Sequence, residues 1–438
     1  MCSATMRIFS SIIGHSLVNS SKGDFQCLSL ASTYYHHDGV LGGVGAIYRP
    51  GTTIAWSQGS PTRWTRPLNG MEGYFNFIGH YTLLTKIRVE LDRPELRYQQ
   101  PQISAKAENM GLVYKVADET RVAEWAAETF LVSSASNADE LCQSVQPIKQ
   151  AMLYYIAASS ELVLRTRHTL VDGTGTPSGT RRGLGQSRIT NAADRAAALL
   201  GPVAEHMPGI GPVSKFGTAP SGCSRNREYV FSAQKTAAVI KACKDRSISV
   251  TSALHAAYVQ TITKYADPTA NVSRYVTVNS LSLRQYLPES YNTLPFMLDT
   301  PASFSEAAAA LHKHYQIGFK NNIANREICV YMACMLRDMV QTPKFQPKTI
   351  SRDALVSSLG IMEEPLERAY GTTVTVKDFM FGAETVLGIS MSFIYMFHDQ
   401  LRLVYSFNDG FEEEYDIQMY LEEIDNVDGG AVWLSVGS

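Results

Sequence analysis

Residues Arg167 to Thr176 read RHTLVDGTGT: a histidine closes an apolar-rich run, and an aspartate and a glycine follow it by four and five positions. His168 is either a base held at the end of a strand or a residue that merely opens a glycine-rich loop. The residues before it point to a strand. MLYYI (Met152–Ile156) and ELVLRTR (Glu161–Arg167) are short and apolar-rich, and the turn residues Ala157–Ser160 between them predict two antiparallel strands. A strand end is a rigid mount for an imidazole that must present one nitrogen to a hydroxyl or amine. Asp172 can lock the turn through a buried ion pair without touching substrate, and Gly173 supplies backbone freedom that other residues lack. A lone histidine before such a loop is more often structural. The strand before it and the H-x-x-x-D-G spacing raise the catalytic reading.

Outward from that motif, the 438-residue chain exceeds one ordinary core, so two lobes or two domains are expected. With 45% hydrophobic and 18% charged residues it can bury a large interior. A formal net charge of -2 offers no electrostatic basis for binding nucleic acid or an anionic membrane, so an acidic ligand needs a local basic patch. Seven dispersed cysteines without a CxxC pair read as reduced thiols in a cytoplasmic compartment. His36-His37 and His312-Lys-His314 lack zinc-motif spacing, and no metal is expected. LGISMSFIYMF (Leu387–Phe397) is too short to span a bilayer, where about 20 residues are needed.

The organisation predicted is an N-terminal extension over 1–55, a lobe over 56–200 carrying the HxxxDG motif, a linker over 201–224 and a second lobe over 225–438. The linker is placed on GPVAEHMPGIGPVSKFGTAPSGC, dense in Pro and Gly and without periodicity. In the first half a strand ends near Leu91, a helix occupies 116–131, and an alanine-rich helix covers Ala192–Leu200. The second half begins with the strand REYVFSA and the helix QKTAAVIKACKDRS. VTSALHAAYVQTITKY is a second helix capped by Thr251 or Ser252, and a strand follows over Arg274–Arg284. Later strands are Ala354–Gly360, Thr385–Tyr395 and Gln400–Asn408, the last two hinged at His398-Asp399, before an amphipathic helix in EEYDIQMYLEEI. The class is α/β (α+β), with mixed strands and helices in both halves.

RHTLVDG resembles the HxxxDG signature of the acyltransferase superfamily that includes chloramphenicol acetyltransferase, plant BAHD acyltransferases and peptide-synthetase condensation domains. VTSALHAAYVQTI, NSLSLR, VSSLG and VKDFMFGAE follow in the order seen there. The likeness is greatest to fungal trichothecene-type O-acetyltransferases and covers roughly residues 60–425. It implies two similar lobes, each a mixed sheet flanked by helices, with a channel between them. It also implies that His168 is the general base, while Asp172 and Gly173 are structural and Asp172 pairs with Arg284.

Condensation domains carry a second histidine where this chain has Arg167, which argues against peptide-bond formation. The plant DFGWG survives only as DFMFG (Asp378–Gly382). Ser390 and Ser392 resemble the Ser-Thr-Ser of carnitine acyltransferases and are candidate oxyanion donors, in competition with Asn279 and Ser280 and with a purely structural role. Arg181 and Arg182 could meet a phosphate of coenzyme A, although a solvated surface pair is the commoner outcome. The resemblance implies transfer of an acyl group, acetyl above all, from acyl-CoA (acetyl-CoA) to a small hydrophobic alcohol in fungal secondary metabolism, for example in a mycotoxin. Two other readings stay open: a thioester on an acyl-carrier protein as donor, with release of a polyketide, and a binding protein or cyclase that uses only the cavity between the lobes.

Overall fold

The computed structural model describes residues 57–68, 72–73, 82–91, 105–108, 111–115, 119–144, 148–169, 191–282, 291–300, 302–322, 352–363, 366–370, 374–385 and 388–427, with isolated positions between 324 and 338. Asp172, Gly173, Arg181, Arg182 and Arg284 lie outside the described residues, as does the extension over 1–55.

The hairpin before the HxxxDG motif forms where its residues place it. β7 (Met152–Ile156) and β8 (Glu161–Arg167) pair antiparallel, from Met152 opposite Arg165 to Ile156 opposite Glu161. β8 is buried from Glu161 to Thr166 on both of its faces, and a strand pairs with each of its edges. One neighbour is β7 and the other is β3 (Thr82–Leu91), antiparallel, with Thr82 opposite Arg167. The sheet continues outward through β6 (Phe130–Ser133), parallel to β7. α1 (Glu119–Thr129) leads into β6, and α2 (Ala138–Ser144) lies between β6 and β7.

The far side of this sheet comes from the other half of the chain. β14 (Val374–Glu384) pairs with β3 from Val374 opposite Leu91 to Glu384 opposite Thr82, and short β13 (Ala369–Tyr370) completes the order β13-β14-β3-β8-β7-β6.

The second half has its own sheet, ordered β12-β15-β16-β9: β9 (Ser224–Val230), β12 (Leu355–Ile361), β15 (Met391–Phe397) and β16 (Gln400–Asn408). β15 and β16 meet at His398-Asp399, both with positive φ (51° and 59°), the geometry of a two-residue hairpin turn. The extended run predicted from Thr385 starts instead at Met391. Gly388, at φ 71°, breaks it, and a side chain there would run into the Phe216 ring. A ribbon of β10 (Arg274–Ser282) and β11 (Tyr291–Asp299) stands beside β12. A further sheet, β1-β2-β5-β4, joins β1 (Ser57–Ser60), β2 (Arg63–Pro67), β4 (Lys106–Glu108) and β5 (Gly111–Lys115).

Helices cover one face of the second sheet. α4 (Ala233–Asp245) and α5 (Val250–Lys264) each start at a serine cap, Ser232 and Ser249. The cap of α5 lies two residues before Thr251. The Ser249 hydroxyl accepts the Ser252 N–H, so Ser252 is already inside the helix. α5 is buried almost all round because its Ala, Val and Leu residues let neighbours approach from every side. α6 (Phe304–Lys313) runs directly into a π-helix over His314–Lys320, and α7 (Glu414–Asn426) closes the layer.

Between the halves, α3 (Ala192–His206) crosses the point where a linker is expected to begin, passing through Gly201 and Pro202. Pro202 removes one backbone donor. The buried stripe Ala196, Leu200 and Val203, at i, i+4 and i+7, holds the helix regardless.

Two cores follow from these layers. One gathers Leu254, Tyr258, Tyr275, Val356, Tyr405 and Leu421 under the helices of the second half. The other joins Tyr154 and Val163 of the first sheet to Phe379 and Phe381 of β14 and to Phe393, Tyr395 and Phe397 of β15. β15 therefore divides its side chains, odd positions toward the first sheet and even positions toward the helices.

Candidate functional site

His168 directly follows β8, half-buried, with Thr166 and Thr169 on either side each 3% exposed. A central strand fixed on both edges is a firmer mount than an edge strand, so the backbone at Arg167 is held by Thr82 on β3. Arg167 itself is half-buried, and that burial lowers its guanidinium from the usual arginine value.

β14 is the element that brings the second half of the chain to this sheet, and a buried arginine holds it at each end. Near one end, the Arg402 Nη1 of β16 donates to Asp378 Oδ1 at 2.7 Å, Glu228 Oε1 at 3.2 Å and the Phe379 carbonyl at 3.0 Å. Arg402 is 6% exposed and its guanidinium lies 5.5 Å from the Phe397 ring centre. Burial raises the Glu228 carboxyl, Arg402 opposes the rise, and Asp378 adds to it. Asp378, the aspartate of DFMFG, thus has a structural role. At the other end Arg165 of β8 holds Glu384.

Ser390, Ser392 and Asn279 lie on the side that faces the helices. Ser392 stands opposite Val356 and Tyr405, both members of the core beneath the helices, so it shares their face. Ser390 is 2% exposed and donates its hydroxyl to Glu412, which also accepts from Tyr405 Oη at 3.1 Å. A hydroxyl has one proton to give, and that of Ser390 is given to Glu412. Asn279 is fully buried on the face of β10 that carries Tyr275 and Thr277, and neither atom of its carboxamide has a hydrogen-bond partner among the described residues. Ser280 follows it on β10, opposite Thr293.

Burial pushes the Glu412 carboxyl up to about 7, with the Asp353 charge adding to it and the hydrogen bonds from Ser390 and Tyr405 opposing. An unfolded glutamate loses its proton near 4.5, so between those values the folded chain holds a proton that the unfolded chain has released. This contribution to stability is complete below 4.5 and lost as pH rises through about 7. Glu412→Gln is permanently neutral and should gain on the wild type by roughly 3 kcal/mol between about pH 5 and about pH 8 in urea titrations. A difference that does not change with pH would show that Glu412 is not a buried acid.

Three described histidines away from the HxxxDG motif are engaged with neighbours in the second half. His255 bridges Tyr315 Oη (2.8 Å, Nδ1) and Tyr275 Oη (3.0 Å, Nε2), and burial, helped by the His314 charge, brings it down to about 3. His314 packs at a tilt against Phe296, ring centres 4.9 Å apart, and is lowered by burial to about 4. His312 Nδ1 accepts the Ser249 N–H. No group of three His, Cys, Asp or Glu side chains among the described residues is placed to hold a metal ion.

Sequence reading missed Arg165, Glu384 and Arg402. The signal was there for two of them: an arginine inside ELVLRTR and another inside QLRLVYSFN, each a charge in the middle of an apolar strand.

No family model matches the chain. The O-acetyltransferase pigM of Monascus ruber is 27% identical over 367 residues, 72% of this chain and 70% of that protein. The azaphilone biosynthesis cluster protein M of Aspergillus terreus is 26% identical over 206 residues, 44% of this chain and 50% of that protein. Among solved structures, the trichothecene 15-O-acetyltransferase TRI3 of Fusarium sporotrichioides superposes with a TM-score of 0.69 at 13% identity, covering 86% of this chain and 98% of that one. The fold is that of this trichothecene 15-O-acetyltransferase, a mixed α/β architecture with two similar lobes. By sequence the chain is a relative of fungal O-acetyltransferases.

Proposed function

We propose that this protein is an O-acyltransferase of fungal secondary metabolism that moves an acetyl group from acetyl-CoA to a hydroxyl of a small hydrophobic acceptor. The observation that carries the reading is His168 at the end of the central strand β8, in a sheet completed by β14 from the other half of the chain. The named relatives support it, and an azaphilone-type polyketide alcohol is the acceptor class they suggest.

In the reaction His168 takes the proton of the acceptor hydroxyl as its oxygen attacks the thioester carbonyl. The carbon–oxygen bond forms, the carbon–sulfur bond breaks, and the thiolate leaves with the proton that the imidazole returns. Asp172 and Gly173 shape the turn, with Arg284 as the partner of Asp172, and Arg181 and Arg182 are the candidates for a coenzyme A phosphate. Lobes over 56–200 and 225–438 with a linker over 201–224 frame the site, and β14 crosses from the second to the first. Asn279 is the candidate whose carboxamide has no hydrogen-bond partner among the described residues. The thiols of Cys142 and Cys243, which burial pushes up to about 12 and about 11, fit a reducing cytoplasm. No helix among the described residues is long and apolar enough to cross a membrane.

Offering acetyl-CoA and an acetylated acyl-carrier protein side by side, with one hydroxylated polyketide acceptor, tests the donor. Turnover with acetyl-CoA alone, at least about tenfold above that with the carrier protein, is expected, a difference of roughly 1.4 kcal/mol in transition-state stabilisation. The reverse order would assign the chain to a carrier-dependent reaction.

A further inference from the structure

We propose that Arg165 and Glu384 form a positioning pair that sets the end of β8, and with it His168, against the second half of the chain. The proposal rests on His168 being the base. Arg165 is 1% exposed, and its guanidinium meets Glu384 as a fork: Nε donates to Oε1 at 2.6 Å and Nη2 to Oε2 at 2.9 Å. The two residues are 219 positions apart in the chain. Two parallel charge-assisted bonds fix direction as well as distance.

The register shows what the fork aligns. Leu84 of β3 lies between Arg165 and Gly382, and Thr82 lies between Arg167 and Glu384. The guanidinium therefore reaches diagonally across β3 to the level of Arg167, the residue before His168. Beyond Glu384 the chain is held to the second sheet, since the Thr385 carbonyl accepts from Ser224 Oγ at 2.9 Å and Asn408 Nδ2 at 3.3 Å. A continuous connection thus runs from β8 through the Arg165–Glu384 fork, along the backbone to Thr385, and by hydrogen bonds to β9 and β16.

Stability does not account for the pair. The β14-β3-β8 ladders already hold these strands together, and a buried ion pair is commonly no more stabilising than apolar residues of the same volume. What an apolar replacement cannot supply is a fixed register between the strand that carries His168 and the lobe across from it. Misplacing a reacting group by about 1 Å can cost on the order of 10²-fold in rate.

The test compares wild type, Glu384→Gln, Arg165→Lys and His168→Ala as full-length proteins, with acetyl-CoA and a hydroxylated polyketide acceptor. Near-UV circular dichroism confirms the fold of each. Glu384→Gln keeps the shape and removes the charge, whereas Arg165→Lys keeps the charge and removes the fork. Both should lower kcat by about 10–100-fold while KM for either substrate stays within about two-fold. A folded variant with kcat within about two-fold of wild type overturns the proposal, as does a raised KM at unchanged kcat. Should Glu384→Gln fail to fold, Arg165→Lys decides by the same criterion. If His168→Ala retains turnover, the base assignment fails on its own, whereas an inactive His168→Ala beside normal pair variants defeats only the positioning role.

Discussion

Replacing His168 by alanine should reduce acyl transfer by at least about 10²–10⁴-fold while leaving the unfolding midpoint close to that of wild type, the usual scale for removing a general base. The rate falls because an alcohol is a poor nucleophile until something takes its proton, and alanine takes none. Stability changes little because His168 follows β8 and lies outside its paired registers, which alanine leaves intact. Those run from Thr82 opposite Arg167 to Arg88 opposite Glu161 on one side, and from Met152 to Ile156 on the other. Binding of acetyl-CoA should persist, so isothermal titration separates lost chemistry from lost substrate. A variant that binds donor normally and still turns over near the wild-type rate would remove His168 from the mechanism.

Arg402→Met should cost about 3 kcal/mol of stability, toward the lower end of what breaking a buried ion pair costs. The substitution keeps much of the apolar stem but leaves Asp378 and Glu228 without their shared cation. Asp378 is about a third exposed, which softens the penalty, whereas Glu228 is already raised by burial and suffers more. Protonating Glu228, whose carboxyl burial already raises, should relieve the loss, so the gap between variant and wild type narrows as pH falls. Urea titrations at neutral and mildly acidic pH read both effects. A neutral-pH loss below about 1 kcal/mol would mean that the ladder with β3 holds β14 unaided. Because β14 joins the two halves, the same variant should also lose activity.

How much of this was legible in the chain depends on how local each cause is. β7, β8 and the His398-Asp399 hairpin were legible because turn residues and flanking strands sit next to each other in sequence. α5 was legible from its Ala, Val and Leu content, with its start misplaced by a few residues because three hydroxyl side chains compete as caps within Ser249–Ser252. The full length of α3 was hidden, since Gly201 and Pro202 argue locally against a helix that tertiary burial sustains. β11 was missed because Pro295 sits in its middle; the ribbon tolerates it since β11 has a partner in β10 alone among the described strands. β1, all four residues exposed and polar, has no period to read.

At the site, the proposed base His168 can be named from the sequence alone, whereas its surroundings cannot. VKDFMFGAE enters the sequence reading only through its place in the family resemblance, and nothing within it says that it will lie as a strand beside β3, almost three hundred residues earlier in the chain. The facing direction of Ser390, Ser392 and Asn279 was hidden for the same reason. Alternation shows that residues share a face, while the identity of that face is set by which sheet packs on which helices.

The most direct test of the central claim is transfer of radiolabel from acetyl-CoA to a hydroxylated polyketide acceptor, run in parallel with wild type and His168→Ala. The account predicts a labelled ester from the wild type and none above background from the variant. Equal labelling by both proteins, or a wild type that releases label only to water, would contradict it.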